Sequence, residues 1–254
     1  MAGETSIPKP MLLPLLLDRS SMGEDDAAPP VSEPPARDWS LLPLDTLSSI
    51  FVRVGAVDVL MGAGLVCRSW LEAAKLPDVW RAVVMENHDV VFLKDELVLC
   101  AMAKAAVDRS DGQLRVFAGN QFVNNVLLKY ILERSPSLAT LRLVSCVEVF
   151  STRLINVIRD APLLELRSLE LDDTFITVGE LTAVLESCPL LEVLRVHNCF
   201  EVYDEDEQVL RAKFARIKTM TLGCDDEFRY GSDYESYDSH HVPDFEDERT
   251  DWSL

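Results

Sequence analysis

Apolar positions between residues 38 and 85 recur at helical spacing. Pro43 suits the first position of a helix because it has no N–H to leave unpaired, and Gly55 marks the end of that helix. The spacing i, i+3, i+4 and i+7 predicts that the apolar residues of this helix share one face. Those residues are Leu47, Ile50, Phe51 and Val54.

Two further short helices are predicted in the same segment. Asp58 can cap the second helix through its side chain. The third runs from about Leu65 to Lys75, before Pro77 stops it. Three short helices of this composition carry more large apolar side chains than so small a unit can bury. Some of these side chains must therefore contact a neighbouring domain or a partner protein.

A different pattern repeats between residues 110 and 224. The motif Leu138-x-x-Leu141-x-Leu143 recurs three times, and an incomplete copy precedes it. The intervals between the last apolar positions are 27, 28, 25 and 26 residues, and Cys146 and Cys199 each follow such a position by three residues. This is the LxxLxLxxN/C pattern of leucine-rich repeats. The last apolar positions are Val116, Leu143, Leu171, Val196 and Leu222.

Helical segments separate these predicted strands. Residues 122–134, 151–160 and 178–187 have helical spacing, Thr177 and Glu180 form a capping-box pattern, and a further helix is predicted from Asp95 to Val107. Each strand–helix unit buries its apolar face only against its neighbours. The sequence therefore predicts an α/β fold in which a three-helix module at 38–85 precedes a short leucine-rich-repeat solenoid at 86–224.

Side chains that alternate outward along these strands are the candidate substrate-binding residues. A solvated polar surface is the competing interpretation for each of them. Cys188, His197 and Cys199 would be conceivable metal ligands, but repeat positions already explain both cysteines, so neither a metal nor a cofactor is expected. The candidate substrate-binding residues are Arg142, Glu170, Asp172, Arg195 and His197.

The helical module resembles the F-box motif. The resemblance covers about 45 residues and is carried by Leu42-Pro43, Asp58-Val59-Leu60, Val66-Cys67-Arg68-Ser69-Trp70 and Trp80-Arg81. The amino-acid sequence of residues 58–74 is similar to the corresponding segment of plant F-box proteins of the leucine-rich-repeat type. Such a resemblance implies binding to the adaptor Skp1, and through it membership of a cullin–RING ubiquitin ligase.

The resemblance also implies roles for individual residues. Trp80 is expected to pack the module onto the segment that follows. Cys67 is expected to be a small buried apolar residue, because no neighbour in the sequence suggests a lowered pKa. The residues expected to contact Skp1 are Leu42, Pro43, Leu47, Ile50, Val66, Cys67 and Trp70.

Charge and cysteine content restrict the class of partner. The 254 residues carry a net charge of −19, which disfavours nucleic acids and anionic membranes as partners. There is no apolar run of about 18 residues, so no transmembrane helix is expected. The six cysteines include no CxxC pair, which is typical of reduced thiols in the nucleus or cytoplasm.

Both ends of the chain differ from the middle. Residues 1–37 hold seven prolines and read as a disordered leader, although Met11–Leu17 is an apolar burst that a short signal peptide or docking motif could also explain. Residues 225–254 contain eleven Asp or Glu and two Arg, and their composition predicts a disordered acidic tail. Residues 201–207 are expected to form a second acidic loop.

No sequence motif for catalysis is present: GxGxxG, GKS/T, HExxH and GxSxG do not occur. The sequence therefore predicts a non-catalytic adaptor that binds Skp1 through the F-box and a protein target through the repeats. The alternative is a repeat scaffold or transcription-linked interaction protein that uses its acidic tail and assembles no ligase.

Overall fold

The computed structural model describes residues 38–146, 156–158, 165–199 and 202–223. Among these residues, 3₁₀ turns occupy Trp39–Leu41, Ala63–Leu65 and Pro77–Trp80. The helices are α1 (Leu44–Val54), α2 (Ala56–Met61), α3 (Arg68–Ala73), α4 (Asp89–Leu93), α5 (Glu96–Arg109), α6 (Asn125–Arg134), α7 (Val178–Ser187) and α8 (Asp204–Lys213). The strands are β1 (Ala82–Val84), β2 (Val116–Gly119), β3 (Thr140–Val144), β4 (Ser168–Asp172), β5 (Val193–His197) and β6 (Thr219–Gly223).

The six strands form one parallel sheet in the order of the sequence. Leu141, Leu169, Leu194 and Met220 are aligned across neighbouring strands and are all buried. A second aligned row two residues further on is buried as well. Each repeat thus covers its apolar side chains with the next repeat, and the predicted α/β fold with a helical module and a repeat solenoid is confirmed.

The first strand was absent from the repeat pattern of the sequence. Residues 82–84 pair in parallel with β2, so the sheet begins before residue 86. Val83 is fully buried, and the N–H of Met85 donates to the carbonyl of Ala118 at 2.8 Å. The core is therefore continuous from the helical module into the repeats.

Trp80 joins the two parts of this core. Its side chain is fully buried, and its indole N–H donates to the carbonyl of Ala74 at 2.9 Å. The guanidinium of Arg109, in α5, lies 5.1 Å from the centre of the ring and makes a cation–π contact. The expectation that Trp80 packs the module onto the following segment is confirmed.

Several predicted element boundaries were wrong. Gly55, not Asp58, is the residue before α2, and the Asp58 carboxylate instead faces Nε2 of His88 at 3.2 Å. The third helix begins at Arg68 rather than near Leu65, because Cys67 has an extended backbone. The predicted apolar face of α1 is only partly covered: Leu47 and Phe51 are buried, while Ile50 and Val54 are more than a third exposed.

Residues 204–207 are helical, which corrects this part of the predicted loop at 201–207, whose residue 201 lies outside the described residues. Helix α8 begins at Asp204, and the carboxylate of Asp206 accepts a hydrogen bond from the N–H of Tyr203 at 2.9 Å. Carboxylates in the first turn of a helix are favourable, because they face the unpaired N–H groups. The same residues that suggested a loop by their charge therefore start a helix.

The other predicted helices lie close to their expected positions. Helix α5 is capped by Asp95, and α6 by Asn124. The predicted capping box of Thr177 and Glu180 is present at the start of α7. Of the helix predicted at 151–160, residues 156–158 are helical and the remainder lies outside the described residues, as do the leader at 1–37 and the tail at 225–254.

We expect truncation of Leu169 to destabilise the fold strongly. Leu169 is fully buried between Leu141 and Leu194, and Leu169→Ala should lower the free energy of unfolding by about 2–5 kcal/mol, because it leaves a cavity. Leu190→Ala is the matched control: that side chain is 45% exposed, and its loss should cost less than about 0.5 kcal/mol. Urea unfolding measures both; equal losses would contradict the stacked core.

Candidate interaction surfaces

Two segments of the helical module are held together by hydrogen bonds. The Ser69 hydroxyl donates to the carbonyl of Ser40 at 2.8 Å, and the Trp70 indole N–H donates to the carbonyl of Trp39 at 3.1 Å. The residues around residue 40 therefore lie against the start of α3. This brings apolar side chains from both segments to one part of the surface.

We call this surface the apolar patch. Its side chains are exposed although they are large and apolar: Leu65 is 72% exposed and Val66 is 63% exposed. A group of exposed apolar side chains marks an interaction site more often than a single one does. The patch consists of Leu41, Pro43, Leu44, Leu65 and Val66.

The structure divides the residues that were predicted to contact Skp1. Pro43, Ile50 and Val66 are exposed and available to a partner. Leu47 is fully buried, so it supports the surface from within rather than contacting a partner. The remaining three, Leu42, Cys67 and Trp70, are partly buried.

Trp70 also has a structural role inside the module. Its ring packs edge to face against Phe51, with centroids 5.5 Å apart, a favourable aromatic geometry. Leu42 likewise packs on the core. Sequence reasoning did not select Leu41, Leu44 and Leu65; their apolar character next to the chosen motif residues was the only available signal.

The candidate substrate-binding residues lie on neighbouring strands. Arg142, Glu170 and Arg195 are aligned in the register of β3, β4 and β5, and Asp172 is aligned with His197 in the next outward row. Arg195 Nη1 lies 2.7 Å from the Glu170 carboxylate, and Arg142 Nε lies 3.8 Å from it. These charges therefore pair with one another and leave little net charge for a ligand.

Glu86 extends this row of pairs and was missed in the sequence. Its carboxylate is buried, and Oε2 lies 3.1 Å from Nε of Arg142. Among the described residues this oxygen accepts no hydrogen bond, so the contact with Arg142 is electrostatic. Burial raises the pKa of the Glu86 carboxyl and the charge of Arg142 opposes that rise. Arg142 is thus held between Glu86 and Glu170.

Comparisons with known proteins agree with this geometry. The F-box-like family model matches residues 39–86, which include the whole apolar patch. F-box/LRR-repeat protein 9 of Arabidopsis thaliana is 36% identical over 168 residues, which cover 64% of this chain and 66% of that protein. The chain is a plant F-box/LRR-repeat protein.

Other members of the F-box/LRR-repeat family give a consistent result. F-box protein SKIP19 of Arabidopsis thaliana is 33% identical over 72% of this chain and 61% of that protein. F-box/LRR-repeat protein 23 of the same plant is 30% identical over 73% of this chain and 42% of that protein. The matched part of the chain thus spans between 42% and 66% of the length of these relatives.

Cys67 of the F-box differs from the expectation of an inert buried residue. It is partly exposed, and its Sγ lies 3.1 Å from the Ser69 hydroxyl. Hydrogen bonds from the Ser69 side chain and the Trp70 N–H lower the pKa of the Cys67 thiol. The helix start that shapes the apolar patch therefore also makes this thiol more acidic.

The repeat cysteines show the opposite behaviour. Burial raises the pKa of Cys146 to about 12 and that of Cys188 to about 11.

Among the described residues, no group of three His, Cys, Asp or Glu could hold a metal ion. No single described helix could cross a membrane; only α1 joined to residues 56–65, at a bend of 119°, has the combined length and composition.

We expect iodoacetamide to label Cys67 more than about a hundredfold faster than Cys146 or Cys188 at about pH 8. Only the thiolate reacts, and each pKa unit changes its fraction about tenfold. Time-resolved peptide mass spectrometry measures the three rates. In urea the rates should converge, and similar rates in the folded chain would contradict the described environment of Cys67.

Proposed function

We propose that this F-box/LRR-repeat protein is the substrate-recognition subunit of an SCF-type E3 ubiquitin ligase. Its F-box would bind a Skp1-type adaptor, and its repeats would bind a protein target. The apolar patch carries the proposal: Leu65 and Val66 are exposed large side chains within the segment that matches the F-box family. Apolar anchors of this kind dominate the affinity of protein interfaces.

The continuous core supports an adaptor role in a second way. Trp80 and β1 tie the F-box directly to the repeats. An adaptor raises the rate of a reaction by holding a target near the reacting group, and this requires a fixed relation between the two binding surfaces. The chain itself supplies no bond chemistry in this proposal, and its place of action is the nucleus or cytoplasm.

The double variant Leu65→Glu/Val66→Glu should strongly weaken binding to a purified Skp1-type adaptor. Loss of a central apolar anchor costs about 2 kcal/mol or more, which is about 30-fold in affinity. Phe92→Glu/Leu93→Glu is the matched control, because both side chains are also apolar and exposed but lie at the end of α4, outside the apolar patch. Pull-down and calorimetry measure the binding, and circular dichroism confirms the fold of each variant.

Two results would contradict this assignment. One is a failure of the wild-type chain to bind the adaptor at all. The other is an equal loss of affinity in the control variant, which would show that the apolar patch is not the contact surface.

In plant cells with the proteasome blocked, ubiquitinated proteins should co-purify with the wild-type chain. They should be strongly reduced with Leu65→Glu/Val66→Glu, because a target held by the repeats would no longer be close to the ligase. Immunoblotting for ubiquitin measures the difference. Equal amounts with both chains would favour the scaffold role without a ligase.

A further inference from the structure

A row of charged residues lies along the edge of the sheet where the strands begin. It contains the residue immediately before each strand, and we call it the basic row. From the second member onward, each backbone N–H in the row donates to the carbonyl of the preceding member at 2.8–2.9 Å, which aligns the six residues side by side. The row consists of Arg81, Arg115, Ala139, Arg167, Glu192 and Lys218.

Four of these six residues are cations and one is an anion. Glu192 Oε1 lies 2.9 Å from Nη1 of Arg167, and its Oε2 lies 2.6 Å from Nζ of Lys218. One carboxylate therefore serves two cations. Lys218 and Arg167 lower the pKa of Glu192, which keeps it charged, but it offsets only a single positive charge.

The other end of the row is less compensated. Nη2 of Arg81 lies 2.5 Å from the carboxylate of Asp78, which belongs to the 3₁₀ turn immediately before Arg81. Arg115 is exposed and has no ion-pair partner among the described parts of the chain. Including Asp78, the row has an excess of two positive charges within a protein of net charge −19.

The Arg81 and Arg115 end of the row does not serve the stability of the sheet. Like charges on directly neighbouring strands are destabilising, and Arg81 and Arg115 are adjacent in the backbone ladder. The row of Glu86, Arg142, Glu170 and Arg195 shows the stabilising alternative, in which charges alternate in sign. The basic row thus retains a charge that the neighbouring row has neutralised.

We propose that the basic row binds an acidic peptide segment of a partner protein. Strands about 4.8 Å apart give the six positions a span of about 24 Å, which matches about seven residues of extended peptide at about 3.3 Å each. Carboxylates along such a segment would face Arg115, Arg167 and Lys218. The inference rests on the proposed function, because it names the class of target that the repeats would recognise.

Fluorescence anisotropy with the full chain tests this proposal. The probe is a labelled Asp/Glu-rich peptide about ten residues long, and the matched probe carries Asn and Gln instead. We expect the acidic probe alone to bind, with an affinity that falls as salt is raised. Arg115→Gln/Arg167→Gln/Lys218→Gln should weaken its binding at least about tenfold.

The control variant removes the same amount of charge from other surfaces. Arg53, Lys75 and Lys129 are exposed residues outside the sheet, and Arg53→Gln/Lys75→Gln/Lys129→Gln should change the affinity less than about threefold. An equal loss in both triple variants would show only general electrostatic attraction and would overturn the proposal. Absence of binding to the wild-type chain would overturn it as well.

The same binding experiment distinguishes two other possible occupants of the basic row. If the probe binds only after the acidic residues of 225–254 are changed to amides, the row is occupied by the chain's own tail and the partner proposal is wrong. Tighter binding of a single-stranded oligonucleotide through the same three cations would also overturn it. Adaptor binding is measured without the peptide, so failure of this inference is distinguishable from failure of the ligase assignment.

Discussion

The parallel register of the six strands is the constraint on which the rest of the structure depends. It aligns Leu141, Leu169 and Leu194 so that each repeat closes the core of its neighbour. The same register aligns the outward side chains into rows. Because side chains alternate between the two faces, a slip of one residue would expose the leucines and bury the charges. Core packing and surface charge are therefore set together.

The turns after β3, β4 and β5 help to fix this register. Ser145, Asp173 and Asn198 each have a φ near 50° and stand at the same position in successive repeats. Each donates its N–H to the end of the next strand at 2.8–3.0 Å. Asp and Asn adopt this left-handed conformation more readily than most residues, and the Ser145 hydroxyl donates to Asp173 at 2.6 Å. The turns thus continue the ladder beyond the strands.

Much of this architecture could be predicted from the sequence because the repeat is local and periodic. The spacing of Leu138, Leu141 and Leu143 predicts a strand from local sequence alone, and Thr177 with Glu180 predicts the start of a helix. Strand β1 has no such signal: Ala82–Val84 lacks the repeat motif and becomes a strand only because β2 is beside it. Propensity is a weak guide where tertiary pairing decides the structure.

The candidate surfaces show the same limit at single residues. Leu47 and Val66 are both apolar positions of the matched motif, yet one is fully buried and the other exposed. Periodicity cannot separate them, because the difference depends on how the segment around residue 40 lies against α3. The basic row could not be predicted from the sequence for a related reason, because its consecutive members are 24 to 34 residues apart in the chain.

The two charged rows of the sheet differ in what they leave for a partner. Arg142 and Arg195 already have carboxylates within the protein, so a ligand there must replace existing ion pairs and gains little. Arg115 has no such pair to break within the described residues, and Lys218 shares one carboxylate with Arg167. An acidic ligand therefore gains more electrostatic free energy at the basic row than at the row of Arg142, Glu170 and Arg195, although only the latter row was selected from the sequence pattern.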